Sequence, residues 1–251
     1  MPFPHSIAPA RSYRTSTRPR SGECAFQIVI EETDLHIVAA RNLAAEASAA
    51  VHELRSRLKA FILCHPEFAA SLTPVGVPEA SHPVIRAMAD AARACGVGPM
   101  AAVAGGVAEH VARALAPLSA EVLVENGGDT SMISTKDRTI ALLADPGREA
   151  SLGVRIPADE FPVSLCASSA TYGHSLSLGR GDLVVVRSAS GVFADAAATA
   201  LCNELKAEAD VESVLEAAQG LARGEGPRLE GVFVQCGQKM GAWGKMELAL
   251  L

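Results

Sequence analysis

The chain has 251 residues, a formal net charge of −6, and a composition that is 49% hydrophobic, 20% charged and 4% aromatic, with 21 glycines. Such a chain can bury a substantial core rich in Ala and Val, which excludes a disordered or fibrous protein. Its acidic balance excludes a generic basic nucleic-acid surface, and no run approaches the ~18 apolar residues of a membrane span.

The first residues lack the apolar core of a secretory signal, so a cytoplasmic protein is expected. Residues 1–22 carry four prolines and Arg11, Arg14, Arg18 and Arg20, and read as a flexible tail. A mitochondrial-type targeting peptide shares that Arg/Ser content, but the run lacks apolar periodicity. Residues 23–251 are taken as one domain. Phe26 to Ile30 and Leu35 to Ala39 are β-type runs around Glu31 to Asp34, the pattern of a hairpin. Asn42 can cap a helix through Leu63, with apolar residues at 43, 47, 51, 54, 58 and 61 on a helical period, ended by His65-Pro66. Arg55 and Arg57 on it read as solvated surface. Val84 to Ala94 forms a second helix.

A Gly-Pro turn at 96–100 then opens a third helix, Ala101 to Leu115, whose first turns contain nothing large: Ala101, Ala102, Val103, Ala104, Gly105, Gly106. Gly inside a helix costs about 1 kcal/mol relative to Ala, so two in succession imply close approach, either by another backbone or by a ligand. Strands are expected at Glu121 to Val124, Thr139 to Leu143, Leu152 to Ile156, Val163 to Ala167 and Leu183 to Val186. Two more helices span Phe193 to Leu205 and Val211 to Ala222. The strands Leu229 to Gln235, Lys239 to Ala242 and Lys245 to Leu250 close the chain. This order predicts an α+β fold, with helices packed on one face of largely antiparallel sheets.

Three small-residue, oxygen-rich segments carry the candidate chemistry. The first is the Gly105 helix start. The second is Glu125-Asn126-Gly127-Gly128-Asp129, which is either a turn joining two strands or a seat for a phosphate, sugar or divalent metal. The third runs from Cys166 to Asn203. It holds a Ser-rich loop with His174 and then a helix of alanines broken only by Asp195, Thr199 and Asn203. Spaced four apart, these three project from one side of the helix, where they are either solvated or present oxygens to a ligand. Six cysteines (24, 64, 95, 166, 202 and 236) form no CxxC pair and read as free, mostly buried thiols, with Cys166 kept as a candidate nucleophile at the loop mouth.

From Tyr13 to Leu248 the chain resembles a family of stand-alone proteins related to the ApbE-type FAD:protein FMN transferases. The resemblance rests on GVGPMAAVAGGVAEHV (96–111), VENGGD (124–129), CASSATYGHSLSLGR (166–180), ADAAATALCN (194–203) and GAWGKMEL (241–248). It implies that Asp195 and Thr199, with a backbone carbonyl near Ala104, hold Mg²⁺. It implies a nucleotide cofactor, FAD or FMN, lying against Glu125, Asn126, Gly127, Gly128 and Asp129, and a protein acceptor of the flavin. His174 would then be the catalytic base that deprotonates an acceptor hydroxyl. Ser168, Ser169, Thr171 and Arg180 are expected to contact the cofactor. The transferases follow their His with a DPxTG-type turn, whereas His174 is followed by Ser-Leu-Ser-Leu-Gly-Arg. Two other readings stand beside this one. The chain is a flavin- or metabolite-binding protein, or a thiol-dependent participant in sulfur metabolism using Cys166. Alternatively it is an assembly partner, such as a homodimer, packed through its glycine-rich helix.

Overall fold

The computed structural model describes residues 19–142, 152–170, 179, 181–224 and 226–251. Eight antiparallel strands form the main sheet in the order β1-β2-β3-β4-β7-β8-β9-β10. They are β1 (Cys24–Ile30), β2 (Thr33–Ala39), β3 (Val122–Asn126), β4 (Asp129–Ile133), β7 (Val163–Ser168), β8 (Leu183–Ser188), β9 (Gly231–Cys236) and β10 (Lys239–Gly244). A second sheet joins β5 (Arg138–Leu142), β6 (Leu152–Ile156) and β11 (Glu247–Leu250) in the order β11-β6-β5. The helices are α1 (Ala44–Cys64), α2 (Glu67–Ala70), α3 (Pro83–Cys95), α4 (Val103–Leu115), α5 (Gly191–Glu204) and α6 (Val211–Ala222).

Strand alternation sorts the core into two layers. On one side of the main sheet Ile37, Val122, Val124, Val184, Val186, Val232 and Val234 meet the helices. On the other, Val38, Leu123, Val163, Leu165, Val185 and Phe233 meet Val154 and Ile156 of the small sheet. The expected α+β architecture with helices on one face is therefore present, and the small sheet covers the opposite face. This is why residues 183–186 of β8 read as an unbroken apolar run: all six residues of the strand are buried, Arg187 and Ser188 included.

Local chemistry sets the helix ends. Leu43, not Asn42, occupies the N-cap of α1; one residue earlier, the Asn42 Oδ1 accepts the Ala44 N–H at 2.9 Å in a local turn. His82 Nδ1 accepts the Val84 N–H at 3.4 Å, Pro83 occupies the first turn of α3, and Gly96 ends it at φ 70°. A 3-10 turn over Pro99–Ala102 leads into α4. Arg55 is not solvated surface. Its side chain, 15% exposed, lies across the β1–β2 turn, bonded to Glu31, to Glu32 at 2.6 Å and to Thr33 Oγ1 at 2.8 Å. Among the described residues no single helix is long and apolar enough to cross a membrane.

Candidate functional site

The crossing of α4 over α5 is built on two glycines. A methyl placed on Gly105 would lie 2.3 Å from the Gly191 carbonyl oxygen, and one on Gly191 would lie 2.7 Å from that of Gly105. Another backbone is therefore what excludes bulk from this helix start, and it belongs to the same chain rather than to a second subunit. Each glycine is followed four residues later by an acid, Glu109 on α4 and Asp195 on α5, so glycine and acid share a face. Each acid then caps the other helix. Asp195 Oδ2 accepts the Gly105 N–H at 2.8 Å, with the Ala104 N–H next to it. Glu109 Oε2 accepts the Gly191 N–H at 2.6 Å and the Val192 N–H at 3.2 Å. Both carboxylates thus meet a helix N-terminus, where unpaired N–H groups and the helix dipole favour negative charge.

The Glu125–Asp129 segment is a hairpin turn joining β3 to β4. Asn126 pairs with Asp129 across it, and Gly127 and Gly128 both take positive φ, at 69° and 113°, which only glycine adopts freely. Glu125 Oε1 accepts the Gly128 N–H at 2.9 Å. The turn is bolted to its surroundings at two points. Asn126 Nδ2 donates to the Ala104 carbonyl at 3.0 Å, and Asp129 Oδ1 accepts the Ala167 N–H at 3.1 Å. The turn and the α4–α5 crossing, distant in sequence, are therefore one structure.

Cys166 completes the cluster. Its thiol donates to the Gly191 carbonyl at 3.5 Å, it lies opposite Asp129 in the β4–β7 register, and a methyl on Gly105 would lie 3.0 Å from it. Cys166, Asp129 and Asp195 thus converge on the first turn of α4. All three are buried. Burial pushes Asp195 up to about 7, against the opposing pull of the Gly105 and Ala104 N–H bonds. Burial first, and the neighbouring Asp195 charge second, push Asp129 well above the ordinary carboxylate range. Burial, then Asp129 and Asp195, raise the Cys166 thiol in turn. A fully buried thiol held in its neutral form is a poor nucleophile. The reading of Cys166 as a reactive thiol at a loop mouth is therefore corrected: it faces inward from β7, under the helices.

Of the other expected site residues, Thr199 lies half-buried one turn beyond Asp195 on α5, and Ser169 is half-buried just past β7. Ser168 is 4% exposed, and its hydroxyl has no hydrogen-bond partner among the described residues. His174, Thr171 and Arg180 lie outside the described residues. Two roles escaped sequence reasoning: Glu109 as the cap of α5, and Asp129 as the neighbour of Asp195. The repeated glycine-x-x-x-acid spacing at 105–109 and 191–195 was the available signal, though only the crossing gives it meaning.

The donor set suits a hard cation. A carboxylate offers about four lone-pair positions and a carbonyl two, so the N–H bonds to Asp195 and the amide bond to Ala104 leave oxygens unoccupied. Mg²⁺ takes one or two carboxylates with neutral oxygens and phosphate, and Asp195, Thr199 and the Ala104 carbonyl supply that chemistry. Among the described residues no three His, Cys, Asp or Glu side chains are grouped to hold a metal by themselves.

Comparison with known proteins places this geometry in context. The family model described as AbpE bacteria matches residues 15–244. UPF0280 protein MJ1526 of Methanocaldococcus jannaschii is 34% identical over 224 residues, covering 88% of this chain and 90% of the relative. UPF0280 protein MK0206 of Methanopyrus kandleri is 36% identical over 227 residues, covering 88% and 90%. Among solved structures, the ApbE protein of Thermotoga maritima superposes with a TM-score of 0.54 at 12% identity, covering 84% of this chain and 94% of that one. The apo form of Pseudomonas stutzeri flavinyl transferase ApbE gives 0.50 at 14% identity, covering 88% and 93%. At these identities the structural likeness is one of fold.

Proposed function

Since the chain belongs to the AbpE-bacteria family, we propose that it binds a flavin nucleotide, or another cofactor bearing a pyrophosphate, through Mg²⁺ held at Asp195. Thr199 and the Ala104 carbonyl would be the remaining protein ligands, and the turn at 125–129 would lie against the cofactor. The observation that carries this reading is the buried Asp195 carboxylate. It sits at a helix N-terminus with neutral oxygens nearby, and no Lys, Arg or His pairs with it among the described residues. A buried carboxylate without a counter-charge is costly, and a bound cation removes that cost.

Flavin transfer is the reaction this site would serve. An acceptor Ser or Thr oxygen forms a bond to the FMN-side phosphorus of FAD, the anhydride bond breaks, and AMP leaves. His174 takes the hydroxyl proton. When bound, Mg²⁺ would neutralise the charge that develops on the pyrophosphate. This chain's own part is to hold that charge at the α4 N-terminus, with Asn126 fixing the Ala104 carbonyl and Glu109 fixing the crossing. The fold of a flavinyl transferase supports the choice of flavin over other pyrophosphates.

A thermal-shift screen with FAD, FMN and ADP, each with Mg²⁺ or with EDTA, tests the proposal. A ligand that binds only the native state must raise the melting temperature. The expected result is a shift with FAD that needs Mg²⁺ and vanishes in Asp195→Ala. The same FAD shift in EDTA, or no nucleotide effect under either condition, removes the reading.

A further inference from the structure

We infer that Asp129 is a second carboxylate ligand of the cation, with Ser168 beside it, so that this chain grips the metal even without nucleotide. The inference rests on the Mg²⁺ reading above and adds to it.

The strand register places the groups. Thr130 pairs with Leu165 and Ser131 with Ser164, so Asp129 falls opposite Cys166, at the end of the β4–β7 ladder. There its Oδ1 takes the Ala167 N–H, and its side chain shares a face of the sheet with Cys166, whose sulfur and the Asp195 Cβ both lie against Gly105. Ser164, Cys166 and Ser168 alternate onto one face of β7, the face covered by α5. Ser164 Oγ and Cys166 Sγ both lie against the α4–α5 glycines. Ser168 therefore points into the same layer one step nearer the strand end, buried and with no hydrogen-bond partner among the described residues.

Two neighbouring buried carboxylates, with no Lys, Arg or His paired to either among the described residues, are satisfied by a shared proton or by a cation. An unpartnered buried hydroxyl beside them asks for a ligand as well, which a proton does not supply. Every donor available is a hard oxygen, apart from a thiol that burial keeps neutral. Such a set selects Mg²⁺ or Mn²⁺ over zinc. A second carboxylate lessens the ion's dependence on the cofactor phosphate.

Mn²⁺, which is visible by electron paramagnetic resonance, tests this on the full chain. Free Mn²⁺ is titrated against wild type, Asp129→Asn, Asp195→Asn and, as an exposed control, Asp159→Asn, with and without FAD. Circular dichroism confirms that each variant is folded. The expected result is Mn²⁺ binding without FAD that weakens at least about tenfold in Asp129→Asn and in Asp195→Asn and is unchanged in the control. Ser168→Ala, the fallback should Asp129→Asn unfold, should weaken it about threefold. If FAD and Mn²⁺ bind together and Asp129→Asn or Ser168→Ala binds Mn²⁺ like wild type, this inference fails and the proposed function stands. If Asp129→Asn lowers Mn²⁺ affinity but FAD binds equally well in EDTA, the second ligand stands and the proposed function fails. Wild type that takes up no Mn²⁺, with or without FAD, overturns both.

Discussion

At the scale of single residues, Gly105 carries more of the structure than its size suggests. A methyl there would meet the Gly191 carbonyl at 2.3 Å and the Asp195 Cβ at 2.8 Å. Neither can retreat cheaply, because the first is backbone and the second belongs to the helix being crossed. Overpacking of this kind costs about 1–3 kcal/mol, and here the displaced group is also the proposed cation ligand. Gly105→Ala should therefore lower the melting temperature by several degrees, while Gly220→Ala, where an added methyl meets nothing within 4 Å, should not. Paired thermal melts check this; equal stability of the two variants would contradict the tight crossing.

At the scale of elements, the sequence reading succeeded where periodicity was strong. The expected helices at 43–63, 84–94 and 211–222 and the strands at 152–156 and 183–186 match α1, α3, α6, β6 and β8 to within a few residues. It singled out Asp195 because a lone acid among alanines is conspicuous. It left β4 undrawn, because Asp129-Thr130-Ser131 is polar, and only the Ser131–Ser164 hydroxyl bond at 2.7 Å and the Ala167 bond show how such residues are buried. It placed Cys166 at a mouth, because sequence does not say which face of β7 looks inward. Nor could it foresee the ion network joining the two sheets. Arg138 of β5 bonds Glu23, at the start of β1, and Glu121, before β3, the latter at 2.5 Å.

That network has a pH signature. Burial alone would push Glu121 up, but bonds from Ser134, Thr135 and Arg138 outweigh it and hold the group down at about 2. The Arg138 bond likewise lowers Glu23. A depressed folded pKa contributes stability above the unfolded value, roughly 4.3, which is lost as pH falls toward the folded one. Wild type should therefore exceed Glu121→Gln by on the order of 2 kcal/mol at neutral pH, the gap narrowing between about pH 4.5 and 2. Denaturant melts of both proteins across that range measure the gap; a pH-independent difference would sink the assignment.

At the scale of the whole molecule, one antiparallel sheet brings the 126–129 turn and the end of β7 to the same place, and the α4–α5 crossing sets Asp195 above them. The stripe of Asp195 and Thr199 was legible as a set of oxygens, but its target was not, because that depends on strands far away in the chain. His174, Thr171 and Arg180 remain tied to this place through the resemblance alone. The most direct measurement is a crystal of the full chain grown with FAD and Mn²⁺, with anomalous differences collected at the manganese edge. A single peak bonded to Asp195 and the Ala104 carbonyl, with the flavin pyrophosphate on its open side, is the predicted result. Flavin bound with no metal at Asp195, or manganese found only elsewhere, would contradict it.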